Sequence, residues 1–160
     1  EQVVHSLSPM YRLLILGAGD VAKFVAEMAI ALEYDVTLCD PRPNYLDNWD
    51  VSGVEKTAQL PDDVVRERFS NPYSGIIALA HDPRVDDMAL MEALKTDAFY
   101  IGAMGSVRTS KARRERLPEL GLSAVEIDRL HAPIGFQINS KTPAEIAIAV
   151  MAEITSVRHQ

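Results

Sequence analysis

Gly17, Gly19 and Ala22, with an aspartate at position 40, are residues whose types and spacing can hold a nucleotide. The spacing is G-x-G-x-x-A. The first glycine allows a tight turn and the second lets backbone approach a pyrophosphate. The third position needs only a small residue for close helix–strand packing. Asp20 and Val21 open the helix that follows, and the N–H groups of a first helical turn attract an anion. Asp40 stands 23 positions after Gly17, where an acid accepts from ribose hydroxyls, and Arg42 offers a cation for a 2′-phosphate. The competing reading is that the motif only packs a helix on a sheet.

A second glycine turn repeats this logic. Gly102, Ala103, Met104, Gly105 and Ser106 follow an apolar run and lead into a basic helix. Arg108, Lys111, Arg113, Arg114 and Arg116 put five of the chain's 16 basic residues within nine positions. Cations at a helix N-terminus oppose the macrodipole, and a phosphate, pyrophosphate or carboxylate bound there would reverse that cost. The alternative is a solvated basic face that meets an acidic partner. His81 and Asp82 end another apolar run and are candidates for ligand contact or proton transfer; Asp82 before Pro83 also suits a helix cap. His131 lies in a segment with Pro133 and Gly135, and either folds over the site or anchors its loop. No pair among Asp20, Asp40, His81, Asp82 and His131 has close zinc-type spacing, so no metal is expected. No nucleophile elbow, P-loop or cysteine-based catalytic set is present in the sequence.

The elements that must position these residues are legible in the hydrophobic pattern. Leu13–Leu16, Val36–Cys39, Gly75–Ala80 and Ala98–Ile101 read as buried strands, with a short strand near Val54. Helices are expected from Val21 to Leu32, from Pro61 to Phe69, after Pro83, and through the basic run to about Leu120, with Gly121 as its stop. Ser123-x-x-Glu126 and Thr142-Pro143-Ala144-Glu145 are capping boxes that open two more. Segment 131–135 is expected to be a loop. Buried strands alternating with helices predict an α/β fold of the Rossmann-like, doubly wound kind: a parallel sheet in three α/β/α layers, as a single domain over residues 11–157. Residues 1–10 show no periodicity and read as an N-terminal arm or linker. Ligands of such folds bind beyond the carboxyl ends of the strands, where both glycine turns, Asp40, Arg42, His81 and Asp82 converge.

A chain of 160 residues with 48% hydrophobic content suits one packed domain. The net charge of −7 argues against nucleic-acid binding. No apolar run approaches the roughly 20 residues of a membrane span. A lone Cys39 and no N-terminal signal segment point to a reducing, cytoplasmic compartment.

With those segments in place, the chain resembles the C-terminal Rossmann-type domain of the xanthine dehydrogenase accessory protein (XdhC/CoxI) family. The likeness covers roughly residues 12–155. It rests on LLILGAGDVA (13–22), CDPR (39–42), AHDPRVDD (80–87), YIGAMGSVRTSKARRERL (100–117), HAPIG (131–135) and KTPAEIAIAVMAEI (141–154). The resemblance implies an accessory, chaperone-like domain rather than an enzyme. It would bind the molybdenum cofactor (molybdopterin) or its nucleotide form and help to mature or insert it into a xanthine dehydrogenase-type molybdoenzyme. A sulfurtransferase is a further implied partner, and pairing of two copies is compatible with the fold. The implied cradle is Gly17–Gly19, Gly102–Ser106, Arg42 and Arg108. The chain departs from the family pattern at Asp20, where members often carry His. Full-length members also have an N-terminal domain with cysteine chemistry, so this chain is expected to be a fragment or to work with a separate partner. The alternative function is an NAD(P)-dependent oxidoreductase or an NAD(P)-sensing regulatory domain, with NAD(P) as ligand.

Overall fold

Residues 13–16 alternate between two cores because β1 (Arg12–Leu16) is covered on both faces. Leu13 and Ile15 join one apolar cluster and Leu14 and Leu16 the other, and all four are fully buried. That is the period of two expected of a strand inside a sheet. The computed structural model describes residues 9–160, so the arm expected over residues 1–10 lies almost wholly outside the described residues.

β1 leads into α1 (Asp20–Ala31), and the chain returns as β2 (Asp35–Cys39). The short β3 (Glu55–Thr57), α2 (Pro61–Arg68), β4 (Ser74–Ala78) and α3 (Pro83–Ala93) follow. Next come β5 (Tyr100–Ala103), α4 (Val107–Arg116) and a 3₁₀ turn over Leu117–Leu120 that Gly121 stops in a left-handed conformation. The chain closes with α5 (Ala124–Asp128), β6 (Leu130–His131) and α6 (Pro143–Arg158). Both expected capping boxes form, at Ser123 and at Thr142. One correction concerns residues 131–135: His131 belongs to β6, paired in parallel with β5, and only the residues after it form the loop. Two residues of strand are too short to leave a period in the sequence.

All six strands are parallel, in the order β3-β2-β1-β4-β5-β6. Helices α1 and α6 cover one face, and α2, α3 and the 3₁₀ turn the other. Strand order reverses between β1 and β4, which is where ligand crevices open in doubly wound sheets. Among the described residues no helix is long and apolar enough to cross a membrane.

The two glycines of the first motif do different work. Gly17 has φ +100° and is buried; a Cβ there would lie 2.5 Å from the Ala80 Cα. Gly19 has φ −113° and nothing within 4 Å of a built Cβ. Gly17→Ala therefore combines backbone strain with a clash against main chain, and should cost roughly 2–5 kcal/mol in urea unfolding. Gly19→Ala should change stability by less than about 1 kcal/mol. Equal stability of the two variants would contradict this division.

Candidate functional site

The C-terminal ends of β1, β2, β4 and β5 bring most of the candidate residues to one edge. Backbone bonds tie that edge together: Gly17 N–H donates to Cys39 C=O, Leu79 N–H to Leu16 C=O, and Met104 N–H to Ala78 C=O. Gly19, Asp20, Ser106 and Arg108 are exposed there, while Val21 and Gly105 are half-buried.

Asp40 is the electrostatic centre of the edge. It is fully buried. Its Oδ2 accepts from Ala18 N–H (3.0 Å) and Arg42 Nη2 (2.9 Å), and its Oδ1 from Arg42 N–H (3.1 Å) and Arg42 Nε (3.0 Å). Four donors fill the acceptor capacity of a carboxylate. Burial alone would raise the Asp40 pKa, but the Arg42 guanidinium and the two N–H groups outweigh it and hold the carboxyl below its ordinary value. Arg42 also reaches Ala80 C=O at 3.4 Å, and its guanidinium lies over the Tyr45 ring at 3.6 Å. Asp40 and Arg42, expected to meet a ribose and a 2′-phosphate, here engage each other and the turns around them.

A cleft opens beside each glycine turn. One, of about 380 Å³, lies between Ala18, Asp20 and Lys23 on one side and Asn44, Tyr45 and Asn48 on the other. Sequence reasoning gives segment 45–53 no role; Asn48 and the aromatics Tyr45 and Trp49 are the available signal. The other cleft, of about 320 Å³, is bounded by Met104, Gly105 and Val107 and by Ile134–Gln137.

The second glycine turn is shorter than expected. Gly102 and Ala103 lie inside β5 and are buried; a Cβ at Gly102 would meet Ile134 Cδ1 at 2.7 Å. The turn proper is Met104–Ser106. Ser106 caps α4 by accepting from Thr109 N–H. Three of the five basic residues after it are structural. Arg113 donates to Asp87 Oδ1 at 3.1 Å, Arg116 to Asp87 Oδ2 at 2.7 Å, and Arg114 to the carbonyls of Ile127, Leu130 and Ala132. Arg108 and Lys111 are exposed and make no ion pair with any described residue.

Asp82 caps α3, accepting from Arg84 N–H at 3.0 Å. The Arg84 side chain then holds its carboxyl below the ordinary range, which suits an anion and not a proton donor near neutral pH. His81 is exposed at φ +59°, a conformation uncommon outside glycine. Its N–H and that of Ala80 donate to the two oxygens of Asp86, at 3.1 Å each. Asp86 is fully buried, and nothing in the sequence points to it; it sits one turn into α3, where an acid reads as ordinary helix surface. His131 stacks on Tyr100 (ring centroids 4.6 Å apart), and its Nδ1 lies 3.7 Å from Glu153 Oε2. Glu153 also accepts from Tyr100 Oη and from Gly135 N–H, so Glu153 ties Tyr100 and the loop at Gly135 together beside His131. Cys39 is buried, donates to Gln59 C=O, and has its thiol pushed up to about 12 by burial. Among the described residues no group of three or more His, Cys, Asp or Glu side chains can hold a metal ion.

The strand order, with its reversal between β1 and β4 and a glycine turn after β1, defines a Rossmann-type domain. The chain belongs to the family of the XdhC Rossmann domain, whose model matches residues 13–154. It is 32% identical to the molybdenum cofactor insertion chaperone PaoD of Escherichia coli K12, across 95% of this chain and 42% of PaoD. It is 26% identical to a probable xanthine dehydrogenase subunit of Bacillus subtilis 168, across 97% of this chain and 45% of that protein. Among solved structures, a xanthine dehydrogenase of Bacillus halodurans matches with a TM-score of 0.79 and 27% identity, over 95% of this chain and 44% of that one. The chain thus spans under half the length of these relatives.

Asp86 and Asp40 give opposite pH dependences. Burial lifts Asp86 from 3.8 to about 6, against the pull of the Ala80 and His81 N–H groups and Arg113. Between those values the folded chain keeps a proton that the unfolded chain has lost, so stability falls as pH rises from about 4 to about 6. Asp40, with its lowered value, stabilises above its unfolded pKa and loses that contribution as pH falls through its folded one. Carboxyl NMR should place the Asp86 midpoint near 6. Asp86→Asn should flatten the loss of stability across pH 4–6, and an Asp86 midpoint near 4 would contradict the assignment.

Proposed function

We propose that this chain is an accessory domain in the maturation of molybdenum-cofactor hydroxylases of the xanthine dehydrogenase type. In this reading it holds the cofactor, as cargo, over the C-terminal edge of its sheet. The observation that carries the reading is membership of the XdhC family together with 32% identity to a relative named as a cofactor insertion chaperone. The geometry supports it in a second way. An NAD(P)-dependent oxidoreductase or sensor rested on Asp40 and Arg42, and both are consumed by the fold.

The residues of this chain have separable tasks in such a role. Gly19 leaves the mouth of the first turn open for close approach of a ligand. Asp20, Asn44 and Asn48 offer acceptors and donors to a heterocycle's polar edge in the first cleft. Gly105 and Arg108 offer N–H groups and a cation to an anion. Cys39 takes no part in sulfur transfer, because its thiol is buried and stays protonated. In this reading sulfur for the cargo comes from a group outside residues 9–160, with a sulfurtransferase as the proposed donor, and the recipient is the hydroxylase apoenzyme. The setting is the cytoplasm.

Calorimetry and thermal unfolding with isolated molybdenum cofactor, its dinucleotide form, NAD and NADP test this. The cofactor or its dinucleotide should bind and, at about 100 times its dissociation constant, stabilise the fold by roughly 2.7 kcal/mol. Absence of binding by both, with no capture of a hydroxylase apoenzyme, would overturn the proposal. Tight NAD or NADP binding alone would return the oxidoreductase or sensor reading.

A further inference from the structure

The two clefts differ in charge more than in size. The first has Asp20 and Lys23 in its lining. The second, of about 320 Å³, is lined by no charged residue, in a chain of which 24% is charged. Its polar side chains are those of Gln137 and Ser140. Gln137 Oε1 accepts from Asn139 N–H at 3.2 Å, while the Gln137 amide nitrogen and the Ser140 hydroxyl bond no described residue. A concave, mostly apolar site with a few polar groups is the usual form of a small-molecule pocket. The cleft opens where the chain leaves β5, at the carboxyl edge of the sheet.

The wall that carries Phe136 is fixed in advance. Three consecutive backbone N–H groups are anchored to the fold: Ile134 to Ala103 C=O (3.0 Å), Gly135 to Glu153 Oε1 (3.0 Å) and Phe136 to Ala149 C=O (3.2 Å). Ile134 fills the space that Gly102 leaves on β5. Gly135 stands at φ +92°, and a Cβ on it would lie 3.1 Å from Val150 N in α6. Phe136, held by these neighbours, is still 44% exposed, and Val107 on the α4 side of the cleft is 74% exposed. A lone exposed apolar side chain is ordinary. Two that line one uncharged hollow, one of them an aromatic ring on a pinned backbone, make a platform.

We propose that the second cleft seats a flat, uncharged heteroaromatic ring, stacked on Phe136 with its edge toward Gln137 and Ser140. The inference rests on the function proposed above for the source of the ring, and states which part of the cargo this cleft grips. Such a ring has two apolar faces and a hydrogen-bonding edge, which matches apolar walls that carry an unpaired amide and hydroxyl. Stacking on an aromatic side chain is tolerant of ring type, because every base has a π-face. An anion finds no cation in this lining, and an aliphatic chain leaves the amide and the hydroxyl without partners. A pterin and a nucleobase share this chemistry, and the test separates them.

Methyl NMR of the whole chain with biopterin, cytidine, adenosine and, as a ring-free control, ribose tests the seat. Ring currents should move the Met104, Val107 and Ile134 methyls with biopterin or a nucleoside, and ribose should move none. The tighter of the two classes names the ring. Phe136→Ala should weaken binding about tenfold, and Phe136→Trp should retain it. Affinity should vary less than about twofold from roughly 0.05 to 0.5 M salt, since no charge is paired. Shifts confined to the Trp49 indole in the first cleft would overturn the seat. So would unchanged binding by Phe136→Ala. If the molybdenum cofactor binds and neither it nor any ring probe moves these methyls, the seat fails and the proposed function stands. If a ring probe moves them and the cofactor does not bind, the seat stands and the proposed function fails.

Discussion

The fully buried carboxylate of Asp40 is the constraint on which the site's geometry depends. It sits at the end of β2 and accepts from Ala18 in the turn after β1. Through Arg42 it reaches Ala80 after β4 and the Tyr45 ring that walls the first cleft. One charge thus links three strand ends. Removing a buried carboxylate from water is costly, and only a complete set of donors offsets that cost. The Arg42 side chain, its own N–H and Ala18 N–H supply the set.

Where Asp40 closes the edge electrostatically, the second turn leaves it open. Arg113 and Arg114 brace that turn and the β6 edge from below, through Asp87 and through the Leu130 and Ala132 carbonyls. Arg108 is left to face outward. Glu153 fixes the opposite wall of the second cleft by holding Gly135, Tyr100 and His131 at once. A rigid rim of this kind leaves little ordering to oppose binding of the ligand proposed for this edge.

Much of this was legible in the residues. Apolar runs ending at glycine or aspartate located β1, β2, β4 and β5, and the capping boxes at Ser123 and Thr142 located two helix starts. The glycine turns and the family likeness were visible for the same reason: local backbone demands leave local marks. Tertiary partnerships left none. Nothing in the spacing of Asp40 and Arg42 tells a ribose acceptor from a buried ion pair, because both put an acid after an apolar strand. Arg113 and Arg114 read as a solvated basic face until α3 and β6 came to lie against them. Asp86 reads as helix surface because its burial arises from the Ala80–His81 turn, whose N–H groups its carboxylate accepts.

The most direct test of this account is a double-mutant cycle on Asp40→Asn and Arg42→Met, followed by urea unfolding without ligand. If Asp40 is a strut, Asp40→Asn costs roughly 3 kcal/mol, because it strips the half-buried Arg42 of its partner and puts an amide among four donors. The two substitutions then couple by about 1–3 kcal/mol. Small, additive losses, each under about 0.5 kcal/mol, would contradict the account and return Asp40 to the ligand.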